Sequence, residues 1–548
     1  MPELARRSLG HRAPLLWLVL PLIAGLAAGK TLGLAPVGWQ LGAAALAALL
    51  AIALSRRNGR EWASALVVAM FFAGSASYGL HRQRLPAWET LPPREAQLTL
   101  RVDRVFPQGI SQRTTGLATV LRSAAPLADL VGQRLYFSLA LPPDTTPPIR
   151  SAAISALGVL TTLPANPPAN TFDGYLAGAG MNFKLTRGRV LAEETSPNAY
   201  YRFCARVAAR CKKILGLGIA EKRPALAALL RAMMLGETRE LSEEQHALFM
   251  QSGTMHLFAI SGLNIAVIAG TIHAALLLLR LPRGARFAIG TALLWLFVDV
   301  TGAAPSAVRA FVMATFLQAA FVLRKPANPL AAIAASALAI LLVAPLQVFS
   351  ASFLMSYGIV VALLVLGLPL GEAWLARWTP WQDVPRVTWT WWQHATSVAW
   401  RATVTAVAIG VATTLISVLT GVQFFRLITP GALLANLLLI PAAMVATLAG
   451  FGAVVCGLVG FALGAVLCNH AAALVLFAIE AAVRLSVRVP GAYLPAHYDA
   501  TWLGAVALAS VLALLLAGYG SGWRRERGGW WPPFAFVALV LIFGVTFE

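Results

Sequence analysis

The stretch Gly253–Gly270, GTMHLFAISGLNIAVIAG, is apolar enough to lie in a lipid bilayer, yet it carries His256, Ser261, Gly262 and Asn264 within nine residues. Polar side chains at membrane depth usually face a protein interior or a water-filled cavity. Glycine permits backbone kinks, and unwound backbone in a membrane is tolerated only where it is buried or lines a cavity. The stretch therefore predicts a helix that is broken near Ser261-Gly262 and lines a polar path. The alternative is an ordinary span whose small residues pack against another helix.

The composition of the whole chain is that of a membrane protein. Its 548 residues are 58% hydrophobic and 12% charged. Apolar runs of about eighteen or more residues recur, which is typical of a polytopic α-helical membrane protein. We predict about thirteen transmembrane helices, near residues 14–29, 37–54, 62–80, 256–279, 287–301, 306–323, 330–345, 351–370, 396–419, 431–455, 457–483, 501–518 and 531–547.

The net charge of +21 is large for so few charged residues. In membrane proteins such an excess mainly places loops on the cytoplasmic side, and it also suits a polyanionic substrate. The alternation of spans puts the N-terminus and the basic loops in the cytoplasm and the C-terminus on the outer side. The basic segments used for this assignment are 1–12, 56–60, 280–286, 324–325 and 524–527.

Residues 85–199 differ from the three-span membrane block 1–84 that precedes them. They are polar and rich in proline, and Gln97–Asp103 alternates strictly between polar and apolar residues. Such alternation predicts half-buried strands. About five short strands predict a small all-β barrel or sandwich outside the cytoplasm. Between Gln97 and Val190, nine Lys and Arg stand against four Asp and Glu, an excess compatible with phosphate binding.

The segment 200–252 returns to helix without being long enough to form spans, and it is predicted to form amphipathic interfacial helices. Its first helix places Arg202, Arg206, Arg210 and Lys213 along one line and apolar residues along another. This pattern predicts an amphipathic helix at the outer membrane surface. The basic line is expected to contact lipid headgroups or, alternatively, the phosphates of a nucleic acid.

Asp299 and Arg309 flank a short turn between two predicted spans, near the outer mouth of the membrane. Their separation predicts that they are close enough to form an ion pair. The pair either is structural or places Arg309 in contact with a substrate.

The chain has no convincing enzyme motif. Gly25–Thr31 resembles a phosphate-binding loop, but it has three residues instead of four between its glycines and closes a predicted span. His256 and Ser261 are five residues apart and do not share a helix face, which disfavours a catalytic pair. The histidines form no metal-ligand motif. We therefore expect no enzyme activity, no metal site and no cofactor.

Three groups of residues resemble the core of the ComEC family of DNA-uptake (competence) proteins. The first joins the LGE of Leu235–Glu237 to SGTMHLFAISGLN at Ser252–Asn264. The others are Thr301-Gly302 with PSAVRA at Pro305–Ala310, and LLANLLLIP at Leu433–Pro441. FDGYL at Phe172–Leu176 and Gly180-Met181 resemble the family's outer oligonucleotide-binding-fold (OB-fold) insert.

The resemblance implies a multi-pass channel in the cytoplasmic (inner) membrane of a bacterium that passes single-stranded DNA into the cytoplasm during natural transformation. Residues 253–485 would form the competence-type membrane channel domain, and 486–548 would add C-terminal spans. An outer DNA receptor, a cytosolic ATP-driven DNA motor and a separate nuclease are the implied partners, besides DNA and the bilayer. The implied conduit-lining residues are His256, Ser261, Gly262, Asn264, Arg309 and Asn436.

The chain also departs from the family pattern. Asn264 stands where the family usually has His, and Phe349–Phe353 replaces a usual Asp-Pro. The chain ends at Glu548 without the C-terminal metallo-β-lactamase-like nuclease domain of many members, so no strand degradation is expected. The alternative function is a secondary transporter of a small solute, because broken spans with polar centres occur there too. The outer β-domain and the absence of a clear inverted repeat favour the channel.

Overall fold

Apolar runs form helices along most of the chain in the computed structural model, which describes residues 13–33, 36–55, 61–82, 92–107, 113–141, 146–164, 166–258, 260–325, 328–524 and 528–547. The basic segments 1–12, 56–60 and 525–527, which indicated the cytoplasmic side, lie outside these residues. The α-helices are α1 (Leu16–Leu32), α2 (Val37–Leu54), α3 (Glu61–Arg82), α4 (Phe172–Gly178), α5 (Ala199–Ile214), α6 (Pro224–Leu235), α7 (Glu243–Gln251), α8 (Gly262–Leu278), α9 (Arg283–Val300), α10 (Pro305–Val322), α11 (Pro329–Val343), α12 (Ala351–Ala362), α13 (Leu368–Arg377), α14 (Trp391–Phe425), α15 (Ala432–Leu458), α16 (Ala462–Val487), α17 (Leu503–Ser521) and α18 (Trp531–Phe543).

Nine helical segments within the described residues are long and apolar enough to cross a membrane. The chain is therefore a mostly helical, polytopic membrane protein, as its composition predicts. The larger number of thirteen spans remains a prediction, because three of the predicted spans form apolar helices of only 10–17 residues, namely α1, α11 and α18. A fourth, α9, is long enough but carries Arg283, Arg286 and Asp299.

Helices α1 and α3 approach each other closely through two glycines. A Cβ added at Gly25 would lie 1.9 Å from the backbone oxygen of Phe71, and one added at Gly74 would lie 2.3 Å from that of Leu22. Small residues allow this approach between membrane helices. The close packing fixes the end of α3, where Arg82 donates hydrogen bonds to Asn182 Oδ1 (3.2 Å) and to the Pro164 oxygen (3.4 Å).

The predicted β-domain is a closed five-stranded barrel. Its strands are β1 (Arg94–Val105), β2 (Arg113–Ser123), β3 (Arg134–Ala140), β4 (Ala153–Thr162) and β5 (Phe183–Thr195). They pair in the order β1-β2-β3-β5-β4 and close, with β3 and β5 parallel and the other neighbours antiparallel. Leu98, Leu100 and Val102 are buried in the barrel while Gln97 and Arg101 are exposed, as the alternation predicts.

Helix α4 packs outside the barrel core. Thr171 caps its first turn by accepting a hydrogen bond from the Gly174 N–H (3.1 Å). Leu176 of α4 is buried with Leu117 of β2 and with Met181. The helix is therefore fixed to the barrel on one side, and its other side is free to contact the membrane helices.

Two sequence-based assignments are corrected by the fold. Helix α6, which lies within the predicted interfacial segment 200–252, is buried, because PALAALLRAMML is apolar apart from Arg231, whose charge is paired with Glu240. Residues at the end of the last predicted span form strand β8 (Val545–Phe547), which pairs with β7 (Leu494–Tyr498). Strand β7 also pairs with β6 (Leu427–Ile428). The segments that follow α14 and α16 therefore form one three-stranded sheet with the C-terminal residues.

Candidate functional site

The organising stretch Gly253–Gly270 is interrupted before its helix begins. A 3₁₀ turn covers Met255–Leu257, and α8 starts at Gly262. Ser261 has extended backbone angles, and its hydroxyl accepts a hydrogen bond from the Asn264 N–H (3.4 Å). Serine is a favoured N-cap because its oxygen satisfies an otherwise free N–H of the first turn. The interruption is therefore stabilised by the cap at Ser261, while Gly262 lies in ordinary helical conformation. Ala259 lies outside the described residues.

Asn264 lies at a contact between three helices. Its side chain is 3% exposed. Its Nδ2 donates to the Met233 oxygen of α6 (3.2 Å), and its Oδ1 accepts from the Thr447 hydroxyl of α15 (3.3 Å). Hydrogen bonds of this kind join membrane helices where lipid offers no partner. In this conformation Asn264 thus holds α6, α8 and α15 together instead of facing open space.

The other predicted conduit residues differ in exposure. His256 is exposed, with its Nδ1 3.0 Å from the Gly253 oxygen. Gly262 is also exposed, and Ser261 is half-buried. Asn436 is half-buried on α15, and within the described ranges its Oδ1 is buried without a hydrogen-bond partner. His256 and Gly262 are therefore the two candidates whose surfaces are open in this structure.

Arg309 is one of the most buried large side chains, with 1% exposed. Its guanidinium donates to Gln347 Oε1 (3.2 Å), to the Ser352 backbone oxygen (2.7 Å) and hydroxyl, and to the Ser356 hydroxyl (3.1 Å). Its Nε has no hydrogen-bond partner among the described residues. Among the residues that the structure describes, the partners of this charge are therefore neutral oxygens and not a carboxylate.

The predicted ion pair between Asp299 and Arg309 is wrong. Asp299 Oδ1 is 2.8 Å from Nη1 of Arg150, which precedes β4 of the barrel, and its Oδ2 accepts from the Tyr200 hydroxyl of α5 (2.9 Å). The carboxylate is 1% exposed, and the Arg150 guanidinium also lies 4.7 Å from the Tyr201 ring centre. The barrel supplies the cation, and Arg309 turns toward α12.

The cluster of Arg150, Tyr200 and Asp299 joins three parts of the molecule: the barrel, α5 and the end of α9. Burial, together with the hydrogen bond to Asp299, raises the pKa of the Tyr200 phenol above its ordinary value. Tyr200 therefore remains a neutral donor at physiological pH, and Arg150 alone supplies positive charge to the carboxylate. A buried carboxylate needs such partners to be tolerated.

A second ion cluster lies beside the barrel. Glu240 accepts from Lys212 and from Arg231 (3.1 Å), and Arg239 donates to the Thr115 hydroxyl of β2 (3.4 Å). Burial by itself would raise the pKa of Glu240, but the hydrogen bonds from the two cations lower it below its ordinary value. Glu240 is therefore ionised and ties the loop after α6 to α5 and α6, while Arg239 of the same loop contacts the barrel.

The predicted basic line on α5 is observed as an exposed face. Arg202, Arg206, Arg210 and Lys213 are all exposed, while Cys204, Cys211 and Ile214 on the same helix are buried. Within the described part of the chain, no carboxylate pairs with any of the four cations; Arg210 contacts the Leu458 oxygen at 3.5 Å. Contact of this face with headgroups or with DNA remains a prediction.

Sequence reasoning missed the residues that contact Asp299 and Arg309. Arg150 and Tyr200 come from segments distant in sequence, and no spacing rule connects them to Asp299. For Arg309 a signal existed, because Ser352 and Ser356 are four residues apart and share one face of α12. Two hydroxyls on one face of an apolar helix indicate a polar partner on a neighbouring helix.

Replacing Gly262 with leucine is expected to reduce transport while leaving the protein in the membrane. Among the described residues, a Cβ at Gly262 would contact Ala310 Cβ alone, at 3.9 Å, so Gly262→Ala should be neutral. A leucine would extend from the exposed surface at Gly262, where in a conduit it would obstruct passage. The measurement is transport normalised to the amount of protein in membranes.

The matched control for this experiment is Gly270→Leu, two turns further along α8, where an added Cβ has no neighbour within 4 Å. Equal transport by Gly262→Leu and Gly270→Leu would mean that the surface at Gly262 faces lipid.

Comparison with known proteins identifies the region that contains these residues. Residues 233–521, more than half of the chain, match the family described as "Competence protein". ComE operon protein 3 of Bacillus subtilis (strain 168) is 27% identical over 137 residues, which are 25% of this chain and 18% of that protein. The chain thus matches less than a fifth of that relative's length. No solved structure matches the chain.

Proposed function

Because the chain belongs to the competence (ComEC) protein family, we propose that it is an inner-membrane channel through which single-stranded DNA enters the cytoplasm during natural transformation. The observation that carries the proposal is the position of the barrel. It is bonded to α3 by Arg82, to α5 and α9 by Arg150, and to the loop after α6 by Arg239. A polymer held by the barrel would therefore lie against the family-matched membrane helices.

The physical requirement is to move a phosphate at every nucleotide through a region that excludes charge. Hydrocarbon alone makes this prohibitive. The exposed His256 and the half-buried Ser261, which precede α8, together with cations near the barrel, would lower the cost, in the way that helix N-termini and broken spans do in transporters. In this proposal the barrel is an OB-type module on the outer side, thirteen spans cross the membrane, and the C-terminus is outside.

The barrel has aromatic rings that suit unpaired bases. Phe172 and Tyr175 of α4 are stacked, with ring centres 6.0 Å apart and planes at 21°. Tyr136 of β3 and Phe106 continue the cluster, and the Arg104 guanidinium lies 5.4 Å from the Phe106 ring centre. Aromatic rings beside cations bind single strands without sequence preference, because every base has a flat face.

The partners in this proposal are single-stranded DNA and the lipid bilayer. By family resemblance, an outer receptor would deliver the DNA and a cytosolic ATP-driven motor would draw it inward. A separate nuclease would degrade the other strand, because the protein itself is proposed to be a channel and not an enzyme.

The proposed function is tested by deleting the protein from its own bacterium and measuring transformation frequency with purified DNA. The deletion should abolish transformation, and expression of the intact chain should restore it. DNA delivered by electroporation is the control, because it bypasses the channel and should transform both strains equally. Normal natural transformation in the deletion strain would reject the channel and favour the transport of a small solute.

The intact protein in lipid nanodiscs is expected to bind single-stranded DNA weakly, with affinity that falls steeply as salt rises. Each phosphate contact releases counterions from the DNA. About five such contacts therefore give a slope of about −3.5 when the logarithm of affinity is plotted against the logarithm of salt concentration. The measurement is fluorescence anisotropy of a labelled oligonucleotide. A peptide nucleic acid with the same bases is the control, because its uncharged backbone should show no such slope. Absent binding at low salt, or binding indifferent to salt, would contradict the prediction.

A further inference from the structure

Arg309 is an unusual group for a membrane domain. Its charge is buried on α10, its described partners are neutral oxygens, and its Nε is unpaired. A buried charge without an opposite charge is costly, and such groups within membrane proteins usually serve function. The guanidinium can still accept a stronger partner, since hydrogen bonds from arginine to an ionised oxygen are stronger than those to neutral oxygens.

All the described partners of Arg309 belong to one continuous segment, residues 345–356. Gln347 lies on the 3₁₀ turn Pro345–Phe349, and Ser352 and Ser356 lie on the first turns of α12. Ser350, between them, caps α12 by accepting a hydrogen bond from the Phe353 N–H (3.2 Å). The turn and the start of α12 therefore form a continuous cover over the guanidinium.

The cover is in contact with the barrel. A Cβ at Gly178, the last residue of α4, would lie 3.4 Å from the Cβ of Ser350. Phe349 of the same turn lies 4.5 Å from the Lys30 ammonium of α1 and 5.9 Å from the Tyr78 ring of α3. A displacement of α4 would therefore also displace the turn that carries Gln347.

The exposed side of α4 carries the rings suited to bases. Phe172 is 51% exposed and Tyr175 is 38% exposed. Lys184 of β5 pairs with Asp173 on the same helix (2.9 Å). One short helix thus combines an exposed aromatic surface with direct contact to the cover over Arg309.

We propose that the segment 345–356, which contacts α4, is a gate that shields Arg309 until single-stranded DNA engages the barrel. This inference rests on the proposed function. Bases stacked on Phe172 and Tyr175 draw α4 away from Ser350, and a phosphate replaces the neutral oxygens around Arg309. DNA shifts the equilibrium because only the open state offers it this charged partner, and a ligand can favour only the state that it binds more tightly. The conformation described is the closed state.

The gate is tested by locking it with a disulfide between Gly178→Cys and Ser350→Cys. The separation of the two Cβ positions is near that found in disulfides. The background carries Cys456→Ser and Cys468→Ser, while Cys204 and Cys211 are buried and are kept. Oxidation should lower DNA uptake to the level of a strain lacking the protein, and a reductant should restore it. Each single variant should show the same uptake with oxidant as with reductant, because it cannot form the bond.

A second readout does not depend on uptake. When the double variant is purified and placed in nanodiscs, a single-stranded oligonucleotide should slow disulfide formation several-fold, because the open gate separates the two thiols. Adding Phe172→Ala and Tyr175→Ala should abolish this slowing.

The possible outcomes show whether the gate proposal or the channel proposal has failed. Normal uptake by the oxidised double variant, or a disulfide rate that is indifferent to DNA, would overturn the gate and leave the channel standing. Absence of uptake by the unmodified protein would instead reject the proposed function, and the disulfide rate would still decide whether DNA moves α4.

Discussion

Replacing Arg150 with alanine is expected to remove most of the protein from the membrane. The change would leave the Asp299 carboxylate buried with only the neutral Tyr200 hydroxyl as a partner. Breaking a fully buried pair costs about 3–5 kcal/mol, and the cost here lies at the lower end because the Arg150 side chain is 36% exposed while the carboxylate is buried. The total stability of a folded protein is about 5–15 kcal/mol, so the loss is a large fraction of it. The measurement is the amount of protein in isolated membranes, together with its thermal unfolding in detergent.

The matched control is Arg122→Ala, because Arg122 also forms a barrel ion pair, with Glu194 at 3.0 Å, but its side chain is 77% exposed. Exposed pairs contribute about 0–1 kcal/mol, so this variant should keep normal abundance. The double change Arg150→Met and Asp299→Leu should recover much of the loss, because a buried apolar pair carries no unpaired charge. Equal abundance of Arg150→Ala and Arg122→Ala would show that the cluster does not hold the barrel in place.

Asp299 also shows which part of the site could be predicted from sequence. Its position near a short turn between two helices is correct, since α9 ends at Val300 and α10 begins at Pro305. The partner was wrong because proximity in sequence favoured Arg309, whereas the cation comes from Arg150 in the inserted barrel. Alternating polarity predicts strands but not which element a distant strand will touch. That choice depends on how the barrel packs against the membrane helices.

Helix α6 shows a case in which the local sequence was informative but the predicted location was wrong. Its sequence, PALAALLRAMML, carries a single charged residue, Arg231, among apolar ones, and this composition is sufficient to indicate a largely buried helix. It was assigned to the membrane surface because it follows the amphipathic α5 and is too short to span. Its burial is explained by tertiary contacts, among them the hydrogen bond from Asn264 to the Met233 oxygen. Length determines whether a helix can cross a membrane but not whether it is buried inside a membrane domain.

Asn264 and Ser261 illustrate what a motif can and cannot specify. Polar groups in an apolar stretch predict an interruption of the helix or hydrogen bonds to neighbouring helices, and both occur here. The motif alone does not separate a side chain that lines a path from one that joins helices. For Asn264 the two roles are distinguished by its hydrogen bond with Thr447 of α15. Thr447 is 183 residues away in the sequence and belongs to no recognisable pattern of its own.

Replacing Arg309 with methionine is expected to abolish most DNA uptake while leaving the protein abundant. Methionine has a similar length and removes a buried charge whose described partners include no counter-ion, which offsets the loss of the hydrogen bonds to Gln347, Ser352 and Ser356. Uptake should fall because no cation remains to receive a phosphate. A hydrogen bond to a charged group contributes about 1.5–3 kcal/mol, which corresponds to roughly a 10- to 100-fold loss in rate.

The measurement is transformation frequency divided by the amount of protein in membranes, with Arg309→Lys as the matched control. Lysine keeps the charge but cannot contact Gln347, Ser352 and Ser356 at once as the guanidinium does. It should therefore retain part of the uptake, while methionine should retain almost none. If both variants lost uptake and abundance together, Arg309 would serve only to hold α12 in place. If methionine kept full uptake, the charge would have no part in moving DNA, and the path would have to lie elsewhere, beside the exposed surface of His256 and Gly262.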